Sequence, residues 1–202
     1  MNSQNYRLAK GYMNKVLYVD LSQSSYHSKP IDPKIAELFF GGRGFGICFL
    51  FEHFKKLQQE GRYKNPFADV DPLSADNVIV IATSPATGTK MPTSGRIHMN
   101  YKSPLTGALG STNGGGRWAV EFKKSGYDLL ILTGKSPQPV YLVISSAGVE
   151  FVGAGSLKDL SSIETRTAIK EKLSKKAQVL TIGAGGKNLS YFASVLSDRN
   201  KT

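Results

Sequence analysis

Three glycine clusters, each carrying one basic residue, punctuate this chain: GGRGFG at 41–46, NGGGR at 113–117 and GAGGK at 183–187. Each precedes an apolar segment. An ordered glycine costs about 0.5–1 kcal/mol relative to alanine inside a regular element, so runs of them need a reason. Bare backbone N–H groups at the positive end of a helix are one reason, because they let the main chain approach phosphate. Helix caps and tight turns are the other. A single cluster decides nothing between them. Three, in a chain with a formal charge of +11, favour an extended anionic ligand.

The elements around the clusters alternate in type. NKVLYVDLSQSSYHSKPI reads as a hairpin, and Asp32-Pro33 starts a short helix that ends at Gly41-Gly42. A second helix is expected from about Phe45 to Gln59, then a Pro- and Asp-rich loop, then the buried strand NVIVIAT. GRIHMNYKS alternates, with Arg96, His98 and Asn100 on one face and Ile97, Met99 and Tyr101 on the other. DLLILTG, PVYLVISS and GVEFVGAG follow as strands, and Ser161 with Glu164 forms a capping box for a helix through Lys175. AQVLTIGAGGKNLSYFASVLS is expected as strand, glycine loop and helix. Many strands with few long helices make the fold class α+β, as one domain over residues 1–202.

Composition removes several classes. The 202 residues are 40% hydrophobic and 20% charged, as in a globular domain with a real core. The longest apolar candidate, FFGGRGFGICFLF, is broken by Arg43 and glycines and falls short of the ~18 residues a membrane span needs. MNSQNYRLAKGY has no apolar signal core, which gives a cytoplasmic expectation without a membrane partner. The single cysteine, Cys48, excludes an internal disulfide and reads as a structural thiol among apolar neighbours. Lysine-rich FKKLQQ, EFKKSGYD and KEKLSKK read as solvated helix faces.

Known phosphate motifs do not fit. Gly110 to Gly115 has Walker spacing, but Gly116 and Arg117 stand where Lys and Ser or Thr are required. Gly183, Gly185 and Asn188 lie too near Thr202 for a dinucleotide fold to follow. No RNA-binding aromatic motif occurs, so nucleic acid is a poor partner. His27, His53 and His98 have no second base or ligand at motif spacing, and His98 stands out only for sharing a strand face with Arg96. No catalytic residue is assigned.

In this order, GGRGFGICFL, DPLSADNVIVIATSPATGT, PTSGRIHMNYKSPLTG, NGGGRWAVEFKKSGYDLLILTGKSPQPVYL and IGAGGKNLSYFASVLSDRNKT resemble the N-terminal domain of the aldehyde ferredoxin oxidoreductase family. The resemblance runs from about Gly11 to Thr202, and P-x-x-G-R, KSPLTG, N-x-G-G and K-x-x-G-Y-D carry it. It implies a domain of two β-sheets with short helices. That domain would hold a tungsten or molybdenum bis-pterin cofactor whose phosphates a magnesium ion bridges. Arg96 of P-x-x-G-R would contact the cofactor, and Asn113 of N-x-G-G would give magnesium an oxygen. Gly115 and Gly116 would present bare backbone to it.

Lys201 and Thr202 would correspond to an arginine and a small residue of the family's next motif, with Thr202 at the metal. Lysine there loses the planar bidentate bonding of arginine. A four-iron cluster needs more thiolates than Cys48 supplies, so the resemblance places it on a larger subunit or on further domains. The implied function is the pterin-binding part of an aldehyde-oxidising enzyme that passes electrons to ferredoxin. The alternative, from the charge alone, is a non-catalytic basic module for a nucleotide or nucleic acid.

Overall fold

A computed structural model describes residues 10–197. Strands β1 (Val16–Asp20) and β2 (Ser25–Lys29) form the expected hairpin. Helix α1 (Pro33–Phe39) starts at Asp32, whose carboxylate accepts the Lys34 N–H. The helices α2 (Gly42–Gln59) and α3 (Pro66–Asp69) lead to β3 (Ile79–Ala82), β4 (Arg96–Lys102) and β5 (Leu109–Gly115). Then come α4 (Trp118–Lys124), β6 (Leu129–Thr133), β7 (Val140–Ser145) and β8 (Gly148–Gly153). The order closes with α5 (Ser162–Lys172), β9 (Leu180–Ile182), α6 (Ala184–Lys187) and β10 (Val195–Ser197).

The α+β class holds. One six-stranded sheet, in the order β2-β1-β6-β3-β4-β5, is joined by two-stranded sheets β7-β8 and β9-β10. Only β1 and β6 run parallel in the large sheet. Its central strands are apolar on both faces, which explains their unbroken hydrophobic runs. Val16, Val80, Leu129 and Ile131 pack with Phe45, Leu50 and Phe54 of α2. Their neighbours Leu17, Ile81 and Leu130 face the other way, toward Phe122 of α4 and Val149 of β8. Among the described residues, no helix is long and apolar enough to cross a membrane.

Four expectations change. Asn113–Gly115 is the end of edge strand β5 rather than a helix cap or tight turn. Its glycines make the strand thin where β4 is bulky: a Cβ on Gly110 would stand 2.5 Å from the Tyr101 ring, and one on Gly114 3.3 Å from Ile97. The segment after Gly183 is the reverse of the expectation, since the glycine cluster itself forms the four-residue α6 and the stretch beyond it ends in β10. Helix α5 has the expected capping box but stops at Lys172, where Ser174 begins a turn.

The fourth change is Lys123. It is 5% exposed, not solvated. The chain reverses at Gly126, in the left-handed region at φ 94°, and brings Asp128 beneath α4. Lys123 Nζ then lies 3.0 Å from Asp128 Oδ1 and donates to the Ser84 carbonyl at 2.6 Å. Asp128 Oδ2 accepts the Met13 N–H at 2.8 Å. A fully buried polar end is tolerable here because each charge has partners.

Candidate functional site

Strand β4 places Arg96, His98 and Asn100 on the face that α2 crosses. The first glycine cluster makes that crossing close. A Cβ on Gly42 would stand 3.0 Å from His98 Cδ2, and one on Gly46 only 1.9 Å from Asn100 Oδ1. Glycines one helical turn apart therefore seat the N-terminal turn of α2 directly on the strand. Their N–H groups are only partly available to a ligand: Gly42 donates to the Thr83 carbonyl at 2.8 Å and Gly44 to Gly41 at 3.1 Å. This cluster is first of all a packing device, and it delivers Arg43 to the edge of the site.

Strand β5 supplies the rest. In register, Arg96 faces Gly115 and His98 faces Asn113. Arg96 Nη1 donates to Asn113 Oδ1 at 3.2 Å, and Asn113 Nδ2 lies 2.9 Å from His98 Nε2. Arg96 and Asn113 are exposed, while His98 is half-buried. Burial holds the His98 imidazole below its ordinary pKa, and the positive charges of Arg43 and Arg96 push the same way. A neutral imidazole beside two arginines and an amide is a surface suited to an anion with a hard-cation companion.

Gly115 has room for Arg96 beside it, since a Cβ there would stand 3.4 Å from Arg96 Nη1. Its carbonyl accepts from Ser197 Oγ at 2.8 Å, which anchors the end of β10 to the site. Gly116, at φ 121°, turns the chain into α4, and its carbonyl would lie 2.8 Å from a Cβ on Gly95. Arg96, Asn113, Gly115 and Gly116 are thus brought together at one end of the β4–β5 pair. Lys201 and Thr202 lie outside the described residues.

The third glycine cluster is bound up elsewhere. A Cβ on Gly183 would collide with Ser162 Oγ at 2.5 Å, and Lys187 pairs with Asp159. Its glycines fit α6 against α5 and β9. A cavity of about 760 Å³ opens on the α4 side of the large sheet, lined by Ile81, Met99, Trp118, Leu130, Leu142 and Leu180. It is apolar, and none of the four residues gathered at the β4–β5 end lines it.

Among the described residues, no group of three or more His, Cys, Asp or Glu side chains could hold a metal. A protein-only cage for zinc or iron is therefore not what this surface offers. An amide oxygen with two arginines fits magnesium better, because that ion keeps waters and takes most of its other ligands from phosphates. Two residues of the site, Arg43 and Asn100, were not singled out for the site from sequence. The signal that would have found them is the Gly42-x-x-x-Gly46 spacing set against the alternation of β4.

Comparison with known proteins bears on the family and the fold. Residues 16–202 match the family described as aldehyde ferredoxin oxidoreductase, N-terminal domain. The tungsten-containing aldehyde ferredoxin oxidoreductase of Pyrococcus abyssi is 36% identical over 192 residues, covering 95% of this chain and 30% of that protein. The aliphatic sulfonate oxidoreductase WOR-like subunit of Pyrococcus furiosus is 29% identical, covering 92% of this chain and 30% of the relative. Among solved structures, the active-site complex BamBC of benzoyl-coenzyme A reductase with 1,5-dienoyl-CoA superposes with a TM-score of 0.86 at 33% identity. That match covers 95% of this chain and 28% of the other. The chain spans about 30% of the length of the curated relatives it matches.

Proposed function

This chain belongs to the aldehyde ferredoxin oxidoreductase family through that family's N-terminal domain, and from that premise we infer that it is a pterin-binding part of a larger oxidoreductase. One observation carries the reading: Arg96, Asn113 and His98 interlock on the edge of the sheet, with Arg43 delivered beside them by α2. The site would take the phosphate end of a tungsten–bispterin cofactor, or its molybdenum equivalent, together with a magnesium ion.

The residues divide the work. Arg96 and Arg43 neutralise phosphate charge, and the planar guanidinium of Arg96 suits two-point bonding. Asn113 would offer magnesium a neutral oxygen, leaving phosphate oxygens to supply the negative charge. Gly115 and Gly116 leave no side chain between main chain and ligand. When bound, the metal centre supplies the two-electron oxidation of an aldehyde to a carboxylic acid. The remaining parts of such an enzyme hold the four-iron cluster, the substrate pocket and the route to ferredoxin. Exposed Leu189, Tyr191 and Phe192, the last at 78%, are apolar surface for those parts to cover.

The test is co-expression with the cysteine-bearing remainder in a host that makes the pterin, followed by tungsten, molybdenum, magnesium and pterin analysis. Arg96→Ala is expected to lower pterin content about tenfold, as loss of a charge-assisted bond to phosphate. Arg62→Ala is the control: it lies beyond the far end of α2 and pairs with Asp76 at 2.5 Å. Equal pterin in the two variants refutes the assignment. Nucleic acid retained in place of pterin would support the basic-module alternative.

A further inference from the structure

Two buried polar atoms on the inner face of β4 have no hydrogen-bond partner among the described residues: His98 Nδ1 and Asn100 Oδ1. They belong to residues two apart on one strand, so they point the same way at roughly 7 Å spacing along the chain. The hydrogen-bond chain that runs outward from them fixes which atoms carry protons.

Arginine can only donate. Arg96 Nη1 therefore faces the oxygen of the Asn113 amide, at 3.2 Å, and the amide nitrogen is left facing His98 Nε2 at 2.9 Å. Asn113 Nδ2 also only donates, so Nε2 must be the acceptor nitrogen of a neutral imidazole. The proton is then on Nδ1. That N–H is buried and needs an acceptor. At the inner end of the chain, Asn100 Nδ2 points to the Gly110 carbonyl at the long distance of 3.5 Å, which leaves Oδ1 as an unused acceptor. Gly46 is what makes room for that oxygen, since a Cβ at this position would stand 1.9 Å from it.

We propose that His98 is a positioning residue whose Nδ1–H is directed through buried water toward Asn100 Oδ1, so that Nε2 holds the Asn113 amide with its oxygen toward Arg96. The result is one polarised relay, in which each group is oriented by the one behind it: Gly110, Asn100, water, His98, Asn113, Arg96. Asn113 then presents an oxygen rather than an N–H₂ at the open edge of the sheet, which is the orientation a cation there requires. Arg96 is held by the same bond. The relay belongs to the chain itself; only its bearing on magnesium rests on the cofactor reading above, and the test needs no cofactor.

Nitrogen-15 correlation spectra of the histidine-labelled chain at neutral pH read the tautomer directly, and His98→Gln identifies the His98 signals among those of His27 and His53. The expected result is a protonated Nδ1 and a lone-pair Nε2. An Nε2–H tautomer, or shifts averaged between the two, overturns the proposal. Exchange of the Asn113 side-chain N–H₂ protons gives the second readout. His98→Phe is expected to speed it about fivefold or more, by removing the acceptor that protects it. His98→Gln is expected to preserve protection, because its Oε1 can accept where Nε2 did. If His98→Phe does not fold, the wild-type tautomer still decides. Unchanged exchange in a folded His98→Phe chain shows that His98 does not hold Asn113.

Discussion

Lys123 and Asp128 meet at 3.0 Å beneath the turn that ends α4, with their side chains 7% and 1% exposed. Breaking such a pair from one side strands the other charge. Lys123→Met is expected to cost about 3–5 kcal/mol of unfolding free energy. Lys124→Ala, at the neighbouring position with a 63% exposed side chain, should change it by about 0.5 kcal/mol or less. Urea titrations of both variants check this. Equal midpoints would mean that Lys123 is solvated after all.

Gly46 and Gly155 make a matched pair of glycine tests. A Cβ at Gly46 meets Asn100 Oδ1 at 1.9 Å, whereas one at Gly155 has nothing within 4 Å. Gly46→Ala should destabilise by about 1–3 kcal/mol through overpacking. Gly155→Ala should be neutral or stabilise by about 0.4–1 kcal/mol, by reducing the freedom of the unfolded chain. Thermal melts that ranked the two in the opposite order would contradict the seating of α2 on β4.

Acid should weaken the fold through His53. Burial holds its imidazole below the ordinary histidine pKa; Lys56 and Arg62 add to this, while Asp76 opposes it. The unfolded chain takes up its proton near pH ~6.5 and the folded chain only at lower pH. Between those values the unfolded state binds more protons, so stability falls as pH falls. This contribution is complete above about pH 6.5 and is lost toward the folded pKa. His53→Gln should make the loss from neutral pH downward shallower, while His98, shifted the same way, titrates in both proteins. Parallel curves for wild type and variant would exclude the assignment.

An iron–sulfur cluster should not assemble on this chain. Cys48 is its only cysteine, and burial pushes that thiol away from the thiolate form a cluster needs. Anaerobic reconstitution with iron and sulfide, followed by visible spectroscopy and iron analysis, is expected to give far less than one cluster per chain. Stoichiometric iron with cluster absorbance would show otherwise.

What the sequence made legible was local. Asp32 at the start of α1, the Ser161–Glu164 box and the alternation of β4 each depend on residues within a few positions of one another. The errors came where meaning is set across space. The glycines of β5 are strand residues because Tyr101 and Ile97 lie opposite Gly110 and Gly114. Lys123 is a core residue because Gly126 returns Asp128 under it. The candidate site divides in the same way: Arg96 and Asn113 were named from a motif resemblance, whereas Arg43 and Asn100 join them only once α2 is laid on β4. The alternation of β4 puts His98 on the face of Arg96, but its bond to Asn113 follows from the β4–β5 register.

The parallel pairing of β1 with β6 joins Val16 to Leu129, an early strand to one made 113 residues later. At a synthesis rate of about 5–20 residues per second, β1 emerges about 6–23 s before its central neighbour exists. During that interval β2 covers one edge of β1, while the other edge, and the apolar side chains of Leu17 and Val19, stay open to any strand nearby. A nascent chain in this state is a template for pairing with its own copies on neighbouring ribosomes. Yield in a foreign host should therefore follow elongation speed and chaperone supply between codons 20 and 129 more closely than it follows the stability of the finished sheet.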